Sequence, residues 1–393
     1  MGKRGNGEGT INKRKDGLWC AQYSTVKDGK KIRRSVYAKT RKEANDKMQQ
    51  KLKEATADII IENSNMTLSE WMIQWLNEFK KNQLKITTYQ NYILNYETHI
   101  KGSTVGDIPL DKLTTSALQK YYNSKLEGGR SDGKGALSVR TVRYLYIIIN
   151  GALEQACRNG ILSTNVNKNT VLPSKKKTEF IPLTVEEVRK FLAAAKEDRL
   201  YPLYLLEIYS GMRKGEILGL KWEDVDTSGK RLRVHNNLCI VKNDNKDEDL
   251  KYKLILQEPK TEKSKRTLPL NDLVIQELKN HKKRQNIKKM EYRDIYEDNG
   301  MVFARMDGSY INPRELLRRF QSLLKKAGIE QKRFHDMRHT FASILLNENE
   351  NPKVIQDLLG HSNVSTTIDI YSHVLEETKI KSIDKLTQKI EVV

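Results

Sequence analysis

Five residues in the second half of the chain have the types and spacing to cut and reseal a phosphodiester together. Arg213 stands in Ser210-Gly211-Met212-Arg213-Lys214-Gly215-Glu216, and His335 and Arg338 in His335-Asp336-Met337-Arg338-His339-Thr340. His361 follows Leu358-Leu359-Gly360, and Tyr371 comes ten residues later. A phosphodiester under attack gains negative charge on its non-bridging oxygens. Two Arg and a His can hold that charge by hydrogen bonds without a metal. A Tyr oxygen can be the nucleophile and form a covalent phosphotyrosine. A Lys or His can supply the proton that the departing 5′-oxygen needs. Each member alone has a plainer reading: an Arg in a helix cap, a His after a helix-ending Gly, a packed Tyr near the terminus. Only the set carries the chemistry.

A metal is the alternative for part of this set. His335 and His339 stand at i and i+4 with an acid between them, which mimics a zinc-protease helix. Asp336 is one methylene shorter than the Glu normally used there, and Arg338 brings a fixed positive charge to the same surface. The spacing supplies no further zinc ligand, and no carboxylate cluster of the Mg²⁺-binding type is evident. No cofactor and no metal are expected.

The 393 residues carry 71 Lys+Arg against 50 Asp+Glu, a formal net charge of +21. Like charges repel in a compact state, so a polyanion is the simple reason for the excess, with nucleic acid first. A very soluble protein with solvated Lys faces is the alternative. Cys20, Cys157 and Cys239 are far apart and lack metal-ligand spacing, which fits a reducing compartment. No apolar signal core follows the N-terminal Met-Gly-Lys-Arg, and the longest apolar stretch, 144–153, is too short to span a bilayer. The expectation is a cytoplasmic protein of bacterial type, associated with the nucleoid when bound to DNA.

Elements that could position the set are legible along the chain. Residues 1–60 carry nine more Lys and Arg than Asp and Glu. Asp16-Gly17 and Asp28-Gly29 are turn signals beside strand-like runs at 18–26 and 31–38. Thr40-Arg41-Lys42-Glu43 reads as a capping box opening a helix to about Thr56. A small three-stranded sheet with one helix follows. Its core would be meagre, so it is expected to work on a partner surface. Thr67-Leu68-Ser69-Glu70 is a second capping box, opening an all-α block with helices near 68–76, 88–100, 115–126 and 138–160. A linker with Pro173 and Lys175-Lys176-Lys177 leads to a third box, Thr184-Val185-Glu186-Glu187. The last domain then has helices, strands near 231–238, 252–258 and 266–270, and helices from Pro313 onward.

Together these motifs resemble the tyrosine recombinase (phage integrase) family, and the layout is similar to integrases of Gram-positive conjugative transposons and temperate phages. The resemblance implies that Arg213 is the first catalytic Arg, His335 and Arg338 the His-x-x-Arg pair, His361 the later His-or-Trp, and Tyr371 the nucleophile. The family's catalytic Lys lies on a β-hairpin, often as Lys-Thr before a strand. Pro259-Lys260-Thr261 before Arg266-Thr267-Leu268-Pro269-Leu270 matches, which selects Lys260, with Lys263 and Lys265 close by as alternatives. Glu216 and Asp336 look like supporting acids; surface acids that stabilise helices are the plainer reading.

The implied fold is multidomain α+β. Residues 1–60 form an arm-type DNA-binding domain, a small three-stranded β-sheet plus helix. Residues 66–167 form an all-α core-binding domain, 168–183 a linker, and 184–393 a mainly α catalytic domain with a small β-sheet and a C-terminal tail. The implied activity is site-specific recombination that integrates and excises a mobile element or prophage, through a 3′-phosphotyrosine and a Holliday junction. The implied partners are double-stranded DNA at core and arm-type attachment sites and three further copies of the chain on that DNA, with room for an excision or directionality factor. A type IB topoisomerase-like strand-swivelling enzyme and a non-enzymatic DNA-binding regulator are the competing readings.

Overall fold

The computed structural model describes residues 10–27, 30–62, 65–130, 132–174, 181–243, 250–259 and 264–361. The chain divides into two compact units, Met1–Lys177 and Thr178–Val393. Among the described residues no helix is long and apolar enough to cross a membrane.

The first unit opens with the expected sheet. Strands β1 (Thr10–Lys13), β2 (Trp19–Lys27) and β3 (Lys30–Ala38) pair antiparallel in that order. Gly17, at φ +85°, makes the first turn and donates its N–H to the Arg14 carbonyl at 3.1 Å. The second turn signal, Asp28-Gly29, lies outside the described residues. Helix α1 runs Arg41–Glu62, past the expected end near Thr56. Among the described side chains, its core is made by Ala21, Tyr23, Ala38, Ala44 and Met48.

The helical part of this unit contains α2 (Leu68–Trp75), α3 (Ile86–Asn95), α4 (Thr115–Gly128) and α5 (Val139–Arg158). The capping box on α2 is complete: Thr67 Oγ1 accepts the Glu70 N–H at 3.2 Å, and the Glu70 carboxylate accepts the Thr67 N–H at 2.8 Å. A cap of this kind contributes about 1 kcal/mol. Both α2 and α3 end in π-helical turns, Leu76–Lys80 and Tyr96–Ile100, which the helical spacing does not announce. In α5, Val142, Leu145, Ile149, Ala152 and Ala156 recur at three- and four-residue intervals and are buried. The Trp71 indole N–H donates to the Ala152 carbonyl at 2.8 Å. Gly151 sits mid-helix, where glycine costs about 1 kcal/mol against alanine. A Cβ there would lie 3.0 Å from the Trp75 ring, so the glycine admits the tryptophan.

The second unit holds α6 (Val185–Ala195), capped by the expected Thr184–Glu187 box, then α7 (Tyr201–Ser210) and the short α8 (Lys214–Leu218). Strands β4 (Val225–Asp226), β5 (Arg231–Val234), β6 (Asn237–Lys242), β7 (Tyr252–Gln257) and β8 (Arg266–Pro269) follow. The run expected as one strand at 231–238 is two strands in different sheets. It divides at His235-Asn236: β5 lies between β4 and β8, while β6 pairs with β7 as a hairpin. Helices α9 (Asp272–Glu291), α10 (Pro313–Lys326), α11 (Phe334–Asn347) and α12 (Pro352–Leu359) complete the described part. Phe191, Tyr204, Phe320 and Phe334 interlock in the core, with Phe320 5.3 Å from both Phe191 and Phe334 between ring centroids. Edge-to-face pairs of this kind add about 1 kcal/mol each beyond their buried area. They tie α6, α7, α10 and α11 into one block.

Candidate active site

The expected functional residues that are described lie at the turn after α7, in the first turns of α11 and just past α12. Helix α7 stops at Gly211, in the left-handed region at φ +57°. A Cβ there would meet the Phe341 ring at 2.6 Å, so glycine is required by both conformation and space. Arg213 is then the cap residue of α8. The Glu216 carboxylate accepts the Arg213 backbone N–H at 2.9 Å and its Nη1 at 2.6 Å. Asp336 does the same for Arg333 at the start of α11, accepting its backbone N–H at 2.7 Å. Both acids are buried, so the surface-acid reading does not hold for them.

Three arginines converge on the end of α12. Arg266 Nε donates to the Leu358 carbonyl at 2.6 Å, Arg338 Nη2 to the Leu359 carbonyl at 2.6 Å, and Arg213 Nη2 to the Gly360 carbonyl at 3.2 Å. The last carbonyls of a helix lack intrahelical partners and carry its negative pole, so cations are favoured there. Arg338, 1 % exposed, also donates to the Gly211 carbonyl at 2.7 Å, which ties the turn after α7 to α12. Gly360 ends α12 at φ +64°, and His361 follows directly, its N–H donating to the Gln356 carbonyl at 3.1 Å. The arginines that would hold a phosphate thus also fix the position of His361.

His335 and Arg338 lie one turn apart on α11, as expected. The His335 and His339 rings meet edge to face with centroids 4.7 Å apart. Among the described residues no group of three or more His, Cys, Asp or Glu could hold a metal ion. Burial, then Arg338 and Arg213, push His335 down to about 4 and His361 to about 3. Burial and His335 push His339 to about 4. All three rings are therefore neutral near pH 7. Burial and the nearby Arg213 lower Arg338 to about 9, which still leaves the guanidinium charged at neutral pH. Burial opposes ionisation of Glu216, but Arg266 and Arg213 outweigh it and hold the carboxylate below its ordinary range.

Arg213, His335, Arg338 and His361 are thus brought to one place. Lys260, its alternative Lys263, and Tyr371 lie outside the described residues, as does the tail beyond His361. Lys265 is described and its Nζ lies 3.1 Å from a Glu258 carboxylate oxygen. Two residues at this place carry no role in the sequence motifs. Arg266 is 6 % exposed in its side chain and pairs with Glu216 at 2.9 Å. Glu207 is buried on α7. A lone acid inside the apolar run Leu203-Tyr204-Leu205-Leu206-Glu207-Ile208 was the available signal for the second.

Comparison with known proteins bears on what this arrangement belongs to. Residues 182–378 match the phage integrase family model, and residues 67–126 match the phage integrase N-terminal SAM-like domain. A tyrosine recombinase XerC-like protein of Caldanaerobacter subterraneus subsp. tengcongensis is 33% identical over 368 residues, covering 91% of this chain and 92% of that protein. The chain belongs to the phage integrase family of tyrosine recombinases. As a member it is an enzyme that breaks and rejoins DNA in site-specific recombination, and the topoisomerase reading is not favoured. The ICEBs1 integrase of Bacillus subtilis is 26% identical over 91% of this chain and 93% of its own length, in line with the expected likeness to integrases of mobile elements. The Tn1549 transposon integrase, solved in complex with transposon right end DNA, shares the recombinase fold, with a TM-score of 0.64 and 22% identity over 82% of this chain and all of that one.

In the first unit, a groove of about 670 Å³ is lined by Asn91, Asn95, Arg140, Thr141, Arg143 and Tyr144, among others. Its walls combine cations, amides and an aromatic ring, the side-chain types that contact phosphates and bases.

Proposed function

We propose that this recombinase integrates and excises a mobile element or prophage through a 3′-phosphotyrosine and a Holliday junction. The observation that carries this reading is the convergence of Arg213, Arg338, His335 and His361 at the end of α12. In the proposed reaction Arg213 and Arg338 hold the non-bridging oxygens of the scissile phosphate. His335 and His361, neutral before DNA binds, donate N–H hydrogen bonds to the same group. The Tyr371 hydroxyl gives up its proton to solvent as its oxygen attacks phosphorus, the bond to the 5′-oxygen breaks, and Lys260 gives that oxygen its proton. Rejoining reverses the step: a 5′-hydroxyl attacks the phosphotyrosine and tyrosine leaves. The bond energy is kept in the phosphotyrosine, so no energy source enters.

The remaining assignments follow from the same reading. Residues 1–60 bind arm-type sites, 66–167 bind the core site, 168–183 link, and 184–393 carry catalysis and the tail. Four protomers act on two duplexes, two at a time, with a directionality factor as a further partner, in the cytoplasm at the nucleoid. The groove lined by Asn91, Arg140 and Arg143 supports the core-site assignment.

The experiment is to map DNA ends covalently attached to the protein after cleavage of duplexes carrying candidate attachment sites. The reading expects one core sequence with protein on the 3′-phosphate. Protein on 5′-ends, or sequence-independent relaxation of a supercoiled plasmid lacking any site, would contradict it.

A further inference from the structure

Glu207 lies on α7, one turn before Gly211, and its backbone carbonyl accepts the Gly211 N–H at 2.8 Å. The residue is 1 % exposed, and among the described residues neither carboxyl oxygen has a hydrogen-bond partner. An ionised carboxylate in such a place is costly, because nothing replaces its lost hydration. The charged groups that act on it are Arg338 from α11, Glu216 from α8 and Arg266 from β8. Helices α6 and α9 also pack on α7 and contribute none of these. The arginines are directed elsewhere: Arg338 donates to the Gly211 and Leu359 carbonyls, and Arg266 to Leu358, Ser264 and Glu216. Burial therefore outweighs their field and raises the carboxyl well above the ordinary range.

We propose that Glu207 is a positioning residue for the recombination site: a buried acid one turn before Gly211, whose carbonyl Arg338 holds, that supports this turn while leaving the guanidinium's positive charge to the scissile phosphate. This rests on the reading that Arg213 and Arg338 bind that phosphate. Arg213, Arg266 and Arg338 against ionised Glu216 leave two positive charges at the site. That balance suits a phosphate gaining a second negative charge during attack. With Glu207 ionised, one of the two would be cancelled.

The test uses the full-length protein and its Glu207→Gln variant, with two readouts. The first is thermal melting without DNA across about pH 5 to 9. Below the ordinary carboxylate pKa both folded and unfolded chains hold the proton. Above it the unfolded chain releases the proton and the folded chain keeps it, so this group lowers stability as pH rises. The Tm of the wild type should therefore fall relative to Glu207→Gln with rising pH. The second readout is single-turnover cleavage of a duplex carrying the mapped core site. Glu207→Gln, which keeps an uncharged group of nearly the same shape, should cleave within about threefold of the wild-type rate across about pH 5 to 8. Glu207→Met, which also lacks the titrating group, replaces the Gln variant should that fail to fold. A Tm difference independent of pH, or a Glu207→Gln cleavage rate more than about tenfold below the wild type near pH 7, overturns the proposal. Failure of the phosphate reading is separately visible, because Arg338→Ala would then cleave normally while the melting difference still stands.

Discussion

Arg266 on β8 and Glu216 on α8 form an ion pair at 2.9 Å with side chains 6 % and 3 % exposed. The same carboxylate also holds Arg213 at 2.6 Å, so one acid sets the spacing of two arginines. Arg266 in turn reaches the Leu358 carbonyl on α12. Together these contacts link β8, the strand after the β6–β7 hairpin, to α8 and to the end of α12 just before His361.

Breaking this pair from one side leaves the other charge buried and poorly compensated. Arg266→Ala should lower stability by roughly 3–5 kcal/mol, the usual cost of removing one partner of a buried ion pair. Urea denaturation reads the loss. Cleavage should fall more than DNA affinity does, because the Glu216 carboxylate that holds Arg213 and the end of α12 before His361 both lose their contact with Arg266 while the duplex contacts remain. A stability change near zero would show that Glu216 finds another partner.

The histidines make acid pH costly. His335, His339 and His361 are neutral in the folded site, with pKa values near 4, 4 and 3, against 6.5 for a free imidazole. As pH falls below 6.5, the unfolded chain takes up protons that the folded chain refuses, so stability is lost. The loss should run from about pH 6.5 down to about pH 3. It should be shallower in His339→Phe, which removes one of the three groups. Thermal melts at constant ionic strength check this, and parallel profiles for the two proteins would contradict it.

Much of this arrangement was legible in the sequence, and the parts that were not have physical reasons. Arg213, His335, Arg338 and His361 stood out because Gly211, Gly360 and the i, i+3 spacing on α11 mark where each side chain must sit. The capping boxes at Thr67 and Thr184 marked helix starts because their hydrogen bonds are local. Arg266 was hidden because it follows Lys263 and Lys265, in a charged run that reads as solvated. Its burial depends on Glu216 and Leu358, which are distant in sequence. The division of 231–238 into two sheets was equally hidden, since strand spacing says nothing about which neighbour each half pairs with.

No metal or nucleotide should be needed. With charge on the phosphate held by Arg213, Arg338, His335 and His361, cleavage and rejoining of a core-site duplex should proceed unchanged in excess EDTA without ATP. Loss of cleavage on chelation, restored by a divalent ion, would contradict the metal-free account.

The N-terminal block should act on binding and not on chemistry. Deleting residues 1–60 removes nine net positive charges. Binding to long DNA with flanking sites should weaken, and its salt dependence should become shallower as fewer counterions are released. Cleavage of a short core duplex should survive. Filter binding over a salt series and a cleavage gel read the two effects, and loss of cleavage in a folded truncation would contradict the division of labour.

The central claim is that Tyr371 attacks the phosphate held by Arg213 and Arg338. The most direct measurement is denaturing electrophoresis of protein mixed with a nicked core-site duplex that traps the covalent intermediate. The wild type should form an adduct that protease removes, with DNA joined through its 3′-phosphate. Tyr371→Phe should bind the duplex with nearly the same affinity and form no adduct. Arg338→Ala should form it at least about a hundredfold more slowly. An adduct formed by Tyr371→Phe at the wild-type rate would place the nucleophile elsewhere and contradict the account.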